Sequence, residues 1–330
     1  GRVLPLNHTR FKYVTSIRYM DFFYNKAYTL HITEICSCGE MDITTVFGTV
    51  IGGSNPSGST IVSFFCEFRM KFAIPKEVIY ITETLQNSGF EAYVIGGSVR
   101  DLIMGREPKD WDITTNAGPQ TIQTLFPRTV YENNFGTVGV VTDIDDEALN
   151  LKPESLRIVE VTPYRADGEY LDGRHPEDVT FVASLEEDLA RRDFTINAIA
   201  YNPKDGDIKD PFGGQKDIKD KIIKTVGIAE QRFSEDALRL MRAIRFSAQL
   251  NFSLELETQK AITELHMKLN NVSVERIREE FTKILLSDSP MFGLFMCNAL
   301  GLLQHFLPEL EMGVHVKQNQ AHSFDVWGHN

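Results

Sequence analysis

Two acidic residues, Asp110 and Asp112, flank a tryptophan shortly after the run Gly-Gly-Ser-Val-Arg-Asp at residues 96–101. A glycine turn of this kind presents backbone N–H groups that can bind phosphate oxygens. If residues 110–114 form a strand, side chains at positions i and i+2 share a face, so both carboxylates converge beside the turn. Two carboxylates next to phosphates suit a pair of Mg²⁺ ions, and the pattern therefore predicts phosphoryl or nucleotidyl transfer.

A third catalytic carboxylate is expected from a neighbouring strand. Glu160 is the best candidate, because it is an acid set among apolar residues in the β-branched stretch 156–161. In isolation, the pair Asp110 and Asp112 would be explained as a turn cap or as two solvated side chains. The glycine turn at this spacing favours metal binding instead.

A second charged cluster, Glu-Asp-Leu-Ala-Arg-Arg-Asp-Phe-Thr-Ile-Asn-Ala, occupies residues 187–198. Ser184 and Glu187 form a capping-box pattern, so we expect a helix that runs to about residue 200. Arg192 could reach a triphosphate, since a guanidinium pairs bidentately with phosphate oxygens. Asp193 could hold that arginine or bind a ribose. The alternative is a charged, solvated helix face.

A third cluster begins at Glu235, and in it Arg239, Arg242 and Arg245 recur at every third position. This spacing predicts a stripe on a helix, with Asp236 and Arg239 sharing a face. A carboxylate beside a guanidinium can match the Watson–Crick edge of a base. Arg242 and Arg245 would face phosphate or an RNA backbone. The alternative is a surface helix with ion pairs.

The composition limits the possible partners. The chain has 330 residues and a net charge of −12. A protein that binds nucleic acid with its whole surface is usually basic, so the basic residues must be gathered locally if RNA is bound. Since no apolar run approaches the roughly 20 residues of a membrane helix, we expect no membrane partner. The four cysteines show no framework spacing, so we expect reduced thiols and a cytoplasmic location.

Periodicity predicts a small mixed sheet flanked by helices, followed by a helical region from residue 234. Helices are expected at 75–88, 99–104 and 119–126. Strands are expected at 91–95, 110–114, 129–131, 137–142 and 156–161, with a polar loop at 164–178.

Residues 1–69 differ from the rest of the chain. They contain six Lys/Arg and five Asp/Glu, a net charge of +1, which leaves −13 on the remaining residues. They show no sustained period, so we expect an extension of unknown structure outside the main fold.

Together, the ordered motifs resemble the class II tRNA nucleotidyltransferases, the CCA-adding enzymes, and their relatives the bacterial poly(A) polymerases. The loop at 164–176 is also typical of this family. The resemblance covers about residues 70–330 and no part of the extension.

The resemblance implies an α+β fold, in which a polymerase-β-like head with a small mixed sheet precedes an all-α neck and body. We expect the head at 70–203, the neck at 204–268 and the body at 269–330. The implied activity is template-independent addition of CCA to the 3′ end of tRNA from CTP and ATP. Two Mg²⁺ ions would be held by Asp110 and Asp112.

The resemblance also implies the nucleotide-binding residues, with the template for C and A at positions 236 and 239. The expected set is Gly97, Arg100, Arg192, Asp193, Asn197, Asp236, Arg239, Arg242 and Arg245.

Several alternatives stay open. A poly(A) polymerase, or a specialist that adds only CC or only A, would share the fold and the metals. An inactive RNA-binding relative and a nucleotidyltransferase acting on a small molecule belong to other classes. Residues 318–329 resemble the start of an HD phosphohydrolase domain, which we expect to be truncated. No protein partner is predicted.

Overall fold

The computed structural model describes residues 16–22, 25–36, 39–43, 46–50, 62–66, 72–131, 136–142, 156–167, 179–181, 184–314 and 316–317. Up to residue 66 the description concerns the backbone alone. The HD-like motif at 318–329 and most of the predicted loop, residues 168–178, lie outside the described residues.

The N-terminal extension forms a sheet of its own. Its strands are β1 (Ser16–Phe22), β2 (Asn25–Cys36), β3 (Gly39–Ile43), β4 (Val46–Val50) and β5 (Val62–Cys66). They are antiparallel in the order β1-β2-β4-β5, and β3 pairs with β2. The sequence does not show the sustained alternation of a half-buried strand, so these strands were not expected.

A seven-stranded sheet follows in the order β14-β13-β6-β7-β10-β9-β8. The strands are β6 (Ala92–Ile95), β7 (Asp112–Thr115), β8 (Thr129–Tyr131), β9 (Val138–Val141), β10 (Ile158–Pro163), β13 (Ala200–Tyr201) and β14 (Ile208–Lys209). Strands β7 and β10 are parallel and the other neighbours are antiparallel. The predicted mixed sheet is confirmed.

Three helices accompany the first strands: α1 (Lys76–Asn87), α2 (Gly97–Ile103) and α3 (Pro119–Leu125). The apolar positions of α1 recur at helical spacing, and Val78, Ile81 and Leu85 are fully buried. They join a core with Ile113 of β7 and Val161 of β10. Burying this stripe against the sheet stabilises both elements.

The segment after β10 differs from its expected form. Strand β11 (Arg165–Asp167) lies within the predicted loop and pairs antiparallel with β12 (Val179–Phe181), which directly follows that loop. Helix α4 (Leu185–Ala190) does not reach residue 200, since a 3₁₀ turn at Thr195–Asn197 and strand β13 follow. Residues 193–200 are all buried, so they lack the exposed face of an amphipathic helix.

The C-terminal part is helical, as expected. Its elements are α5 (Gly214–Asp220), β15 (Ile222–Ile223), α6 (Ala229–Glu235), α7 (Leu238–Leu250), β16 (Ser253–Leu254), α8 (Leu256–Leu265), a 3₁₀ helix (His266–Asn271), α9 (Val274–Leu285), α10 (Pro290–Ala299), a 3₁₀ helix (Leu303–His305) and α11 (Pro308–Glu311). Helix α7 packs against α9 and α10. The α+β fold is confirmed.

The expected head boundary at residue 203 falls inside the sheet. Strand β14 pairs with β13 at Ile208 and Lys209, so the sheet continues past that boundary. No described helix is both long and apolar enough to cross a membrane.

Candidate active site

The glycine turn lies where β6 ends and α2 begins. Gly96 has φ +78°, a left-handed conformation that glycine adopts without steric cost. A Cβ at this position would lie 3.1 Å from Arg192 Nη1 and 3.8 Å from Asp112 Oδ2. The turn therefore lies next to both the Asp112 carboxylate and the Arg192 guanidinium. A side chain at position 96 would fill the space between them.

Asp112 is the first residue of β7 and lies between two neighbouring strands. It is opposite Ile95 of β6 and opposite Glu160 of β10. Residues in register on adjacent strands project to the same face, so Asp112 and Glu160 share a face. Glu160 is exposed.

Asp110 does not lie on the strand, contrary to expectation. The chain bends at residues 109–110 and then buries Trp111, so β7 begins only at Asp112. Burial raises the pKa of Asp112; the Arg192 guanidinium opposes this rise, and the negative charge of Asp110 adds to it. The two carboxylates are thus electrostatic neighbours. Within the described ranges, no three His, Cys, Asp or Glu side chains are grouped closely enough to hold a metal.

Arg192 follows α4 and points to the turn. Its Nε has no hydrogen-bond partner among the described residues, and its Nη2 lies 3.6 Å from Asp188 Oδ2. Burial lowers the pKa of Arg192, while the negative charge of Asp188 opposes that change. A half-buried guanidinium with an unused donor beside a glycine turn is well placed to bind an anion.

Asp193 binds a different arginine from the one expected. Its Oδ2 accepts hydrogen bonds from Arg242 Nε and Nη2, at 2.8 and 2.5 Å. Asn197 links this pair to the turn, since its Nδ2 donates to Asp193 and its Oδ1 accepts from Arg100 Nη1 at 2.8 Å. Gly97 lies beside the same guanidinium, because a Cβ at Gly97 would be 3.6 Å from Arg100 Nη2.

Asp236 and Arg239 have separate partners. Asp236 lies before α7 rather than on it, and Arg276 Nη2 donates to its carboxylate at 2.8 Å. Arg239 Nη1 donates to Glu235 Oε2, and its Nη2 donates to the carbonyl oxygen of Arg191. The expected face shared on one helix is therefore wrong, because α6 ends at Glu235 and α7 starts at Leu238.

Arg245 is turned away from solvent. It is buried, its Nε donates to Glu280 Oε2, and its Nη1 donates to Gln249 at 3.0 Å. Three guanidinium carbons surround the ring of Phe246, at 5.4 Å for Arg100, 5.4 Å for Arg242 and 4.0 Å for Arg245. Cation–π contacts of this kind hold arginines on an aromatic face.

The sequence did not single out three of the groups that organise this site. Phe246 ends the third cluster, and only tertiary structure shows its contact with Arg100. Arg276 and Glu280 lie on α9, about 40 residues from the charges they pair with, and no local spacing indicates such pairs.

The chain is similar to known proteins in both sequence and structure. Residues 92–224 match the family model of the poly A polymerase head domain, and residues 251–313 match that of the probable RNA and SrmB-binding site of polymerase A. A CCA-adding enzyme of Anoxybacillus flavithermus is 46% identical over 241 residues, which cover 71% of this chain and 56% of the relative. One of Geobacillus thermodenitrificans is 47% identical over 229 residues, which cover 69% and 52%.

Among solved structures, the CCA-adding enzyme of Bacillus stearothermophilus in complex with CTP aligns with a TM-score of 0.63 at 40% identity. The alignment covers 73% of this chain and 56% of that chain. The chain spans about half the length of the curated relatives it matches. On both sequence and structure, it belongs to the nucleotidyltransferase family of CCA-adding enzymes and bacterial poly(A) polymerases.

Proposed function

We propose that this protein adds CCA to the 3′ end of tRNA, using CTP and ATP and releasing pyrophosphate. The observation that carries the proposal is the meeting of Asp112, Arg192 and the left-handed Gly96 at one point. The tRNA 3′-oxygen would form a bond to the α-phosphorus while the bond to the pyrophosphate oxygen breaks and the hydroxyl proton is lost. Poly(A) addition or partial CCA addition would use the same residues.

Asp110 and Asp112 are proposed to hold two Mg²⁺ ions, with Glu160 as a third catalytic carboxylate. The donor set fits, because Mg²⁺ prefers carboxylate oxygens and two adjacent carboxylates repel one another unless a cation lies between them. When bound, the ions would lower the pKa of the attacking hydroxyl and neutralise charge on the leaving group.

The arginines are proposed to bind and orient the nucleotide. Arg192 and Arg100, with the backbone at Gly97, would contact the triphosphate next to the turn. Arg242 would complete the pocket, and Asp193 would hold its guanidinium in place. Asn197 would fix the position of the turn relative to the pocket, because it is hydrogen-bonded to both Arg100 and Asp193.

Asp236 and Arg239 are proposed to read the base. Arg239 carries an orienting partner in Glu235, and Asp236 one in Arg276. The two side chains are therefore held in place independently of one another. Arg245 is proposed to support the pocket by packing on the ring of Phe246, and not to contact the nucleotide.

The domain organisation is part of the same proposal. Residues 70–203 with β14 would form the catalytic head, 204–268 the neck, and 269–330 the body, with 1–69 as an extension. A cytoplasmic location would give access to tRNA.

Incubation with tRNA that ends before, within or after CCA tests the activity, with CTP and ATP supplied singly and together in the presence of Mg²⁺. Addition of two C and one A followed by arrest is expected. A run of A would identify a poly(A) polymerase, and addition of C or A alone a specialist. No incorporation by the folded protein would refute the proposed activity.

Asp112→Asn should abolish transfer to any acceptor, lowering kcat by at least about 10³-fold, as expected when a metal-binding carboxylate is lost from a two-metal site. Glu107→Gln, an exposed acid in the same connecting segment, is the matched control and should retain full activity. If both variants incorporate nucleotides at the same rate, Asp112 is not a catalytic residue.

A further inference from the structure

Asp188 on α4 is a fully buried carboxylate to which the proposed chemistry gives no role. Its side chain has a relative exposure of 0%. Burying an ionised carboxylate costs folding free energy unless nearby positive charges and hydrogen bonds compensate for the lost hydration.

Four groups surround Asp188. Arg191 donates to Oδ1 from Nε at 2.9 Å and from Nη2 at 2.7 Å, and the backbone N–H of Arg165 donates to the same oxygen at 3.4 Å. Thr114 Oγ1 donates to Oδ2 at 3.2 Å, and Arg192 Nη2 lies 3.6 Å from Oδ2. The carboxylate therefore contacts three separate parts of the head.

Two of these contacts lead directly to the candidate active site. Thr114 stands two residues after Asp112 on β7, so both side chains project from the same face of the sheet. Arg192 is the guanidinium that reaches the glycine turn. Asp188 thus connects the strand that carries the catalytic carboxylate to the arginine proposed to bind phosphate.

The charge of Asp188 also stabilises two adjacent, half-buried arginines, Arg191 and Arg192. Burial acts to raise the pKa of Asp188, but Arg191 and Arg192 hold it below its usual value, so the group stays ionised at neutral pH. Without this charge, the guanidiniums of Arg191 and Arg192 would repel one another, and Arg192 would lose the carboxylate that orients it.

We propose that Asp188 is a positioning residue, whose carboxylate fixes Arg192 beside Asp112 in the orientation that receives the triphosphate. The inference rests on the proposed nucleotide chemistry. Asp188 acts through Arg192, so its loss should weaken nucleotide binding more than it slows the chemical step.

The test compares Asp188→Asn, which keeps the shape of the side chain, with Glu187→Gln, an exposed neighbour that removes the same charge. We expect Asp188→Asn to raise KM for CTP and for ATP about tenfold, equivalent to about 1.4 kcal/mol, with kcat changed less than about threefold. Calorimetric titration with CTP alone should show a similar loss of affinity. Glu187→Gln should match the unmodified protein.

A double-mutant cycle separates positioning from a general structural role. In the Arg192→Ala background, Asp188→Asn should cause little further rise in KM, because residues that act as a unit are not additive. A full additional tenfold rise, or an unchanged KM in the single variant, would overturn the proposal. If Asp188→Asn does not fold, Thr114→Val replaces it, with an expected KM rise of about threefold; an unchanged KM would again overturn the proposal.

CTP binding and tRNA extension by the unmodified protein distinguish a failure of this inference from a failure of the proposed function. If it binds CTP but extends no tRNA, the proposed function fails, and the CTP affinities of the variants still decide the role of Asp188. If it extends tRNA and Asp188→Asn binds CTP normally, only the positioning inference fails.

Discussion

At the scale of single residues, Asp193 joins parts of the chain that are about 50 positions apart. Its side chain is buried. It accepts two hydrogen bonds from Arg242 and one from the backbone N–H of Phe194. Burial alone would raise its pKa, but Arg242, Arg239 and the hydrogen bond from Asn197 together outweigh burial and lower the pKa of Asp193 to about 2. The ionised carboxylate therefore favours the folded state.

Asp193→Asn should lower the free energy of unfolding by at least about 2 kcal/mol at pH 7, since each unit of pKa shift corresponds to about 1.4 kcal/mol. Because the pKa is lower in the folded state, this stabilisation is complete above the unfolded pKa of about 4 and is lost as pH falls towards 2. Urea unfolding between pH 3 and pH 7 measures the difference between the two proteins.

Asp207→Asn is the control, because its ion pair with Lys209 is exposed and should contribute less than about 1 kcal/mol. A difference between Asp193→Asn and the unmodified protein that is independent of pH would contradict the assignment of the low pKa to Asp193.

Residue types and spacing predicted Asp112 beside the glycine turn, because the two motifs are neighbours in the sequence, and they allowed Arg192 either to reach a phosphate or to lie on a solvated helix face. They did not predict the partners of Asp236 or Arg245. Those partners, Arg276 and Glu280, lie on a helix that reaches them only through packing, and spacing carries no information about such pairs.

At the scale of elements, α5 packs against the 3₁₀ turn at Thr195–Asn197 and holds that turn in place beside the site. A Cβ at Gly214 would lie 2.2 Å from the carbonyl oxygen of Thr195 and 2.8 Å from Ile199 Cγ1. Thr195 Oγ1 also donates to Asp217 of α5 at 2.6 Å. The turn carries Asn197, which binds Arg100, so a shift here would be transmitted to the turn at Gly96.

Gly214→Ala should therefore destabilise the protein by about 1–3 kcal/mol and raise KM for the nucleotide, because backbone rather than a flexible side chain must move. Thermal unfolding and KM for CTP measure the two effects. Gly118→Ala is the control, since among the described residues no atom beyond its chain neighbours lies within 4 Å of the added Cβ; its cost should stay below about 1 kcal/mol. Equal behaviour of the two variants would refute close packing at Gly214.

The strands and helices of the head were largely predictable because each buries one face, which leaves a period in the sequence. Helix α4 was predicted too long, since the charged residues 187–193 fit a helix but residues 193–200 are wholly buried. Two-residue strands such as β13 and β14 are too short to leave a period, so the end of the head sheet could not be read from the sequence.

At the scale of the whole molecule, an acidic protein brings three of its arginines together. The chain carries −12 overall, and Arg192 lies beside the glycine turn while Arg100 and Arg242 lie over the ring of Phe246. Each of these guanidiniums is paired with a carboxylate, so their positive charges are balanced locally.

The described side chains of the hydrophobic core come from residues 72–307, and the strands of the extension pair with one another in a separate sheet. Phe72 marks the start of the core. Its ring packs edge-on against Tyr201 at 5.0 Å between centroids, and its backbone N–H donates to the Tyr201 hydroxyl. We therefore expect residues 70–330 to fold as a unit.

Removal of residues 1–69 should leave the midpoint of thermal unfolding within about 3 °C and nucleotide incorporation unchanged, because a change below about 0.5 kcal/mol shifts Tm by only a few degrees. Removal of residues 1–74 is the matched control. It also deletes Phe72 and Ile74, which are partly buried against the core, and should cost at most about 1.5–3 kcal/mol for each, the value for full burial of an apolar side chain. If the shorter deletion already lowers Tm as far as the longer one, or abolishes incorporation, the extension is part of the folding unit and the catalytic head does not begin at residue 70.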